Sequence, residues 1–148
     1  MAQFGRPSAD TSIGTYTDEA AGTTNIYTHI DEDVSAPNDA DYVRSVLAPA
    51  NAPYVCALTS VEDPVSSTNH IVRYRYAKDA AGGAQIDLTV QLRQGYTNEG
   101  SPGTQIAQWT HTNISNTLAT AAQTLSGAEA DAITNYASLF LRFVANQV

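Results

Sequence analysis

The sequence predicts an all-β protein, an antiparallel β-sandwich or jelly roll of about seven to eight strands. Short runs in which apolar and polar residues alternate recur along the chain, and clusters of turn residues separate them at intervals of about 8 to 15 residues. A single stretch, residues 126–136, has the features of a helix. We therefore expect an extended N-terminal arm over residues 1–25 and a β-sandwich domain over residues 26–148, with one short helix before the last strand.

The predicted arm differs in composition from the rest of the chain. Residues 5–25 are rich in Gly, Ser, Thr, Asp and Ala, and Ile13 and Tyr16 are isolated among them. Such a segment buries too little apolar surface to fold alone. A terminal segment of this kind is ordered by contact with a partner, so the arm indicates an assembly.

The alternating pattern begins at residue 26. The predicted strands are residues 26–30, 42–47, 54–60, 70–77, 85–94, 104–111, 119–125 and 138–146. Within each run, residues two apart lie on the same face of the strand. The helix over residues 127–136 is predicted from Ser126 and Glu129, whose spacing is that of a capping box.

The chain is acidic, and its charge is unevenly distributed. Residues 1–63 contain ten acidic residues against Arg6 and Arg44, whereas residues 64–148 contain five acids and five bases. Seven Lys and Arg residues in all are too few to neutralise the phosphates of a nucleic acid. An anionic membrane surface repels such a protein. We therefore expect neither nucleic acid nor a membrane as a partner.

The composition is that of a single soluble domain with a small-residue surface. Charged residues make up 15% of the chain, below the average of about 25%, and 23 alanines and 17 threonines take their place. Its apolar runs are far shorter than the roughly 20 residues of a membrane-spanning helix. The start, MAQFGRPSAD, lacks the basic and apolar regions of a signal peptide, so we expect no export by the usual route.

The acidic residues between Asp31 and Asp41, with His29 beside them, are the best candidate for a metal site. Oxygen-rich loops suit Ca²⁺, but the spacing here does not match that of an EF-hand loop. Pro37 and Asn38 favour the alternative, a solvated turn whose carboxylates cap strand ends or meet a neighbour's cations. We adopt that alternative and expect neither a metal nor a cofactor.

The single cysteine and the arginines have simple structural interpretations. Cys56 lies in an alternating run and is expected to be a small buried hydrophobe rather than a nucleophile. Arg73, Arg75 and Arg93 are expected to pair with the acids of the first half rather than with a substrate carboxylate. Nucleophile-elbow, phosphate-loop and zinc-hydrolase motifs are absent from the sequence, so we expect no catalytic residues and no enzymatic activity.

The aromatic residues leave two interpretations open. Tyr74, Tyr76 and Trp109 either stack on sugar rings at an exposed face, as in many carbohydrate-binding modules, or pack inside the protein. An exposed concave face would favour sugar binding, and a buried face would count against it.

Several short motifs follow one another over nearly the whole chain. They are RPSADT at 6–11, IDE at 30–32, DADYVRS at 39–45, DP at 63–64, HIVRYRY at 70–76, LTVQLRQG at 88–95, IAQW at 106–109 and LSGAEADAITNYASLFLRF at 125–143. In this order they resemble small virion structural proteins of tailed bacteriophages, which are β-sandwiches that decorate or cement the capsid.

The resemblance implies a non-enzymatic capsid decoration or cement protein on the outer surface of the virion, assembled in the host cytoplasm. Its implied partners are the major capsid protein and other copies of the chain, in a trimer rather than a dimer. We expect the arm to lie along a neighbouring subunit as an added strand or clamp. Its expected anchors are Phe4, Arg6, Ile13 and Tyr16. The alternative is a carbohydrate-binding jelly-roll module on the head or on a tail fibre, used in host or surface attachment.

Overall fold

The computed structural model describes residues 2–80 and 83–148. In this part of the chain the strands are β1 (Pro7–Ser12), β2 (Thr17–Asp18), β3 (Val43–Arg44), β4 (Ala52–Leu58), β5 (Ile71–Tyr76), β6 (Ile86–Gln94), β7 (Thr104–His111), β8 (Ala119–Thr124) and β9 (Leu139–Gln147). A 3₁₀ turn, Ile26–His29, and one short helix, α1 (Gly127–Asp131), accompany them. The all-β class and the single helix before the last strand are confirmed.

Five of these strands form one antiparallel sheet, in the order β1-β4-β9-β6-β7. Strand β9, the last in the chain, lies at the centre, where Leu141 faces Cys56 on one side and Leu92 on the other. The other strands form two short antiparallel ladders, β2–β3 and β5–β8. The last strand of the chain therefore pairs with two strands, β4 and β6, that come from earlier parts of the sequence.

The core lies between the main sheet and the elements that cover one of its faces. Alternation turns Cys56, Leu92 and Leu141 to that face, and all three are buried. The β5–β8 ladder covers the part of the sheet around β6. Tyr74 of β5 and Ala121 of β8 pack there in a second buried cluster, together with residues of β6 and of the loop after β7. This two-layer arrangement is the predicted sandwich.

Strand β7 and the capping box match the sequence prediction closely. Residues 104–111 form a strand over the whole predicted range. The Ser126 hydroxyl accepts the Glu129 backbone N–H while the Glu129 side chain accepts the Ser126 backbone N–H, as a capping box requires. Helix α1 ends at Asp131, five residues before the predicted end, so the stretch up to residue 136 is not helical throughout.

The predicted strand over residues 26–30 is wrong. Residues 26–29 form a 3₁₀ turn because the Asp10 carboxylate accepts the backbone N–H groups of Ile26 and Tyr27, at 2.8 and 2.9 Å. The left-handed backbone of Asn25 turns the chain just before it, at a φ of 55°. Ile26 is fully buried, so its apolar character serves the core rather than a strand face.

The N-terminal segment belongs to the chain's own fold, which corrects the expectation that it lies on a neighbouring subunit. Strand β1 pairs antiparallel with β4 at the edge of the main sheet. Tyr16 is buried in the core, and its hydroxyl donates to the Ala52 carbonyl at 3.2 Å. Gly14 has a φ of 55°, and a Cβ there would lie 2.4 Å from the Pro53 carbonyl oxygen, so the turn after β1 requires glycine.

Candidate functional site

An exposed apolar loop follows β3, where the sequence predicted a strand over residues 42–47. Only Val43–Arg44 is a strand, and residues 45–51, the apolar loop, turn away from the sheet. In this loop Leu47 is 86% exposed and Val46 is 44% exposed. These exposed apolar side chains make the loop a candidate contact surface.

Hydrogen bonds to the end of β9 hold the apolar loop in place. The Asn51 backbone N–H donates to the Asn146 side-chain oxygen at 3.0 Å, and the Gln147 backbone N–H donates to the Pro49 carbonyl at 2.7 Å. The loop is therefore fixed at its base while Leu47 projects into solvent.

A depression of about 340 Å³ lies beside the apolar loop. Its lining includes Gly14, Thr15, Val46, Ala48, Ala50 and Pro53. Exposed Val148 follows Gln147, which bonds to the loop, so it belongs to the same edge of the molecule. We call this end of the sheet, where β4 begins and β9 ends, the loop end.

The opposite end of the strands, where β4 ends, carries a second set of exposed apolar residues. We call it the helix end. Phe4 is 54% exposed and Val65 is 91% exposed. The chain before β1 is held there because the Gln3 side chain exchanges two hydrogen bonds with the Glu62 backbone. Strand β4 runs from the loop end to the helix end, and its seven residues separate the two by about 20 Å.

The four predicted anchors therefore do not act together. Phe4 is exposed at the helix end. Arg6 pairs with Asp33 of its own chain at 2.6 Å. Ile13 packs against the core and Tyr16 lies within it, where burial raises the pKa of Tyr16 to about 12. Among the four, only Phe4 is more than half exposed.

An ion pair stabilises the loop between β6 and β7, which lies at the helix end. Arg142 on β9 binds Glu99 through both carboxylate oxygens, at 2.6 and 3.0 Å. The hydrogen bond from Arg142 lowers the pKa of Glu99. A carboxyl group whose pKa is lower in the folded state stabilises the fold above its unfolded pKa and loses that contribution as the pH falls through the folded value.

We expect the Glu99→Gln variant to lose less stability than the wild type when the pH falls below about 4.5, because the amide does not titrate. At neutral pH the substitution is expected to cost roughly 0.5 kcal/mol, as for a partly exposed ion pair. Urea unfolding from pH 3 to 7 measures both effects. Equal acid sensitivity in the two proteins would contradict this assignment. Asp79→Asn, which changes an exposed acid elsewhere, is the control.

The aromatic residues considered for sugar binding are buried or half-buried. Tyr74 is 8% exposed and contacts Trp109 and Phe143, while Tyr76 and Trp109 are partly buried. The hydroxyls of Tyr74 and Tyr76 bond the two ring nitrogens of His111, at 2.7 and 2.9 Å. Burial lowers the pKa of His111 and raises that of Tyr74. These rings do not form an exposed stacking face.

The cysteine and one arginine behave as the sequence predicts. Cys56 is fully buried, and burial raises its pKa to about 12, which makes its thiol unreactive. Arg75 pairs with Asp39 of the acidic first half at 2.5 Å. The expectation for Arg93 is wrong, because its guanidinium donates to the carbonyls of Pro102 and Gly103 and to nearby glutamines.

The acidic segment 31–41 does not gather into one cluster. Asp33 and Asp39 pair with arginines, as described above. Asp41 instead meets His29, together with Asp18 and Glu19. Sequence reasoning missed the last two residues because only the β2–β3 ladder, in which Asp18 faces Val43, brings them to this point. We call these four residues the His29 cluster.

No protein-family model, curated protein or solved structure matches the chain. Within residues 2–80 and 83–148, we find no helix that is both long enough and apolar enough to cross a membrane.

Proposed function

We propose that the chain is a non-enzymatic structural protein of a tailed-bacteriophage virion, which decorates the outer capsid surface and stabilises contacts between major capsid subunits. The observation that carries this proposal is the pair of exposed apolar sets at opposite ends of β4, about 20 Å apart. A protein with one apolar end binds one neighbour, whereas one with two such ends holds two neighbours together.

The surface chemistry supports a contact of this kind. Burial of a Leu or Val side chain contributes about 1.5–3 kcal/mol, so a few such residues at each end supply most of the affinity that a small interface needs. Alanine and threonine, which are abundant in the chain, lose little side-chain entropy when an interface orders them. The acidic first half favours capsid patches that carry positive charge. The resemblance of the ordered motifs to virion structural proteins supplies the identity of the partner.

Substitutions at the two ends test the proposal by co-sedimentation with capsids that lack the protein. Val46→Asp/Leu47→Asp at the loop end and Phe4→Asp/Val65→Asp at the helix end are each expected to weaken capsid binding roughly tenfold to hundredfold. Ala122→Asp is the control, since Ala122 is exposed in the middle of β8, between the two ends. It is expected to bind as the wild type does.

The outcome separates the proposal from its competitors. Wild-type affinity in both double variants would overturn the role of the two ends. Loss of binding in only one of them would indicate attachment to a single subunit, and would overturn bridging. The mass of the free protein in solution completes the test, and we expect an oligomer, a trimer rather than a dimer.

A further inference from the structure

We propose that His29, Glu19 and Asp41 form a binding site for a divalent transition-metal cation, and that Zn²⁺ is the ion that suits this ligand set best. One ligand atom from each of the three side chains lies within 4.8 Å of the other two. The residues come from three separate segments of the chain, namely the stretch after β2, the 3₁₀ turn and the stretch before β3. The site therefore depends on the tertiary fold.

The contacts around one ring nitrogen show why a cation fits. Glu19 Oε2 lies 2.9 Å from His29 Nδ1, and Asp41 Oδ1 contacts the same nitrogen. A ring nitrogen carries at most one proton, so it cannot satisfy two carboxylates. Glu19 Oε2 is in fact buried and accepts no hydrogen bond. A metal ion between the three groups attracts both oxygens and the nitrogen lone pair together.

The other ring nitrogen of His29 also faces a carboxylate. Asp18 Oδ2 lies 3.6 Å from His29 Nε2, on the side of the ring away from the proposed ion. A histidine that binds a metal commonly has its second nitrogen directed at a carboxylate, which favours the tautomer with the proton on that nitrogen. Nδ1 hydrogen-bonds Asp41 in this structure, and loss of its proton on metal binding would free its lone pair for the ion.

Asp18 is built to hold this position. The residue is 8% exposed, and its Oδ1 accepts the backbone N–H groups of Ala20 and Gly22, at 2.8 and 2.6 Å. A Cβ at position 22 would lie 2.3 Å from Asp18 Oδ2, so the backbone approaches the carboxylate as only glycine allows. Asp18 is therefore a positioning residue for His29 and not a ligand.

The charge balance also calls for a cation. Asp18, Glu19 and Asp41 each meet His29 and no Lys or Arg among the ion pairs of the described residues. Even a protonated imidazole leaves this cluster with two negative charges. Glu32 Oε1 is also buried and without a hydrogen-bond partner, which adds a further uncompensated carboxylate oxygen to this acidic part of the molecule.

The ligand types select the ion. Zn²⁺ takes four ligands from His nitrogens and Asp or Glu oxygens, at about 2.0–2.2 Å. Ca²⁺ takes six to eight oxygens and Mg²⁺ also prefers oxygen, so a central imidazole disfavours both. The proposed site thus differs from the Ca²⁺ site considered from the acidic loop alone, because one of its ligand atoms is an imidazole nitrogen.

The site is tested by isothermal titration calorimetry, in which ZnCl₂ is titrated into the untagged protein. The protein is first treated with a chelator and dialysed. We expect one Zn²⁺ per chain and a melting temperature that rises by roughly 5–10 °C when free Zn²⁺ exceeds the Kd about a hundredfold. His29→Ala and Glu19→Gln are expected to weaken binding at least tenfold. Asp18→Asn is expected to weaken it by about 10- to 100-fold, as loss of a supporting carboxylate does at other metal sites.

The controls keep the result decisive if one variant fails to fold. Asp79→Asn removes an exposed acid elsewhere and is expected to leave Zn²⁺ affinity unchanged. Co²⁺ in place of Zn²⁺ is expected to give the visible absorption of a four-coordinate site, and Glu19→Gln is expected to change that spectrum. Absence of Zn²⁺ binding by the wild type, or undiminished affinity in folded His29→Ala, overturns the proposal. Tighter binding of Ca²⁺ than of Zn²⁺ does so as well.

Discussion

Replacement of Tyr54 by alanine is expected to lower the free energy of unfolding by about 3–5 kcal/mol, the usual cost of removing a large buried aromatic ring. Tyr54 is 1% exposed, and its ring lies between those of Tyr16 and Phe143, at centroid distances of 5.7 and 6.2 Å. A domain of this size is stable by only about 5–15 kcal/mol. The loss is therefore a large part of the total.

Urea unfolding measures the effect, with Tyr42→Ala as the control because Tyr42 is 43% exposed. The control is expected to change stability by less than about 0.5 kcal/mol. Tyr54→Phe isolates the hydroxyl, which donates to Asp10 Oδ1 at 3.0 Å, and is expected to cost about 1 kcal/mol. If Tyr54→Ala were as stable as the control, the described core would be wrong.

Deletion of residues 2–18 is expected to abolish cooperative folding. The deletion removes β1, which covers the edge of β4, and it removes Tyr16 from the core. It also removes Asp10, which holds the 3₁₀ turn and bonds Tyr54. Strand β4 would then expose a long apolar edge, which promotes aggregation.

Circular dichroism melting and analytical gel filtration compare this deletion with a shorter one. Deletion of residues 2–5 stops before β1 and is expected to leave a folded protein, with loss of the Gln3–Glu62 contacts and of Phe4 only. A cooperative melt at the wild-type temperature after the longer deletion would show that residues 2–18 are a detachable arm after all. Because the longer deletion unfolds the protein in our account, point substitutions are the proper probes of capsid binding.

The alternation of apolar and polar residues predicts an element correctly where its backbone hydrogen bonds go to the next strand of a sheet. Residues 104–111 alternate regularly, and they form β7 over the whole range. Residues 26–30 alternate as well, yet Asp10, sixteen positions earlier, caps them into a 3₁₀ turn. No periodicity within a run reveals a partner so distant in the chain.

The candidate surfaces were less accessible to sequence reasoning. The composition of residues 5–25 predicts an arm, because so few apolar residues cannot support a fold on their own. The segment is not isolated, however, because β1 adds to a sheet edge and only Ile13 and Tyr16 need to reach the core. Likewise, His29 and Asp41 were visible as candidates, but Asp18 and Glu19 join them only through the fold.

Bridging of capsid subunits is tested most directly by the melting temperature of capsids that lack this protein, measured before and after its addition. We expect the wild-type protein to raise that temperature, because its two apolar ends bind neighbouring major capsid subunits at once. The Val46→Asp/Leu47→Asp variant is expected to leave it unchanged. A wild-type protein that neither binds these capsids nor raises their melting temperature would contradict the account.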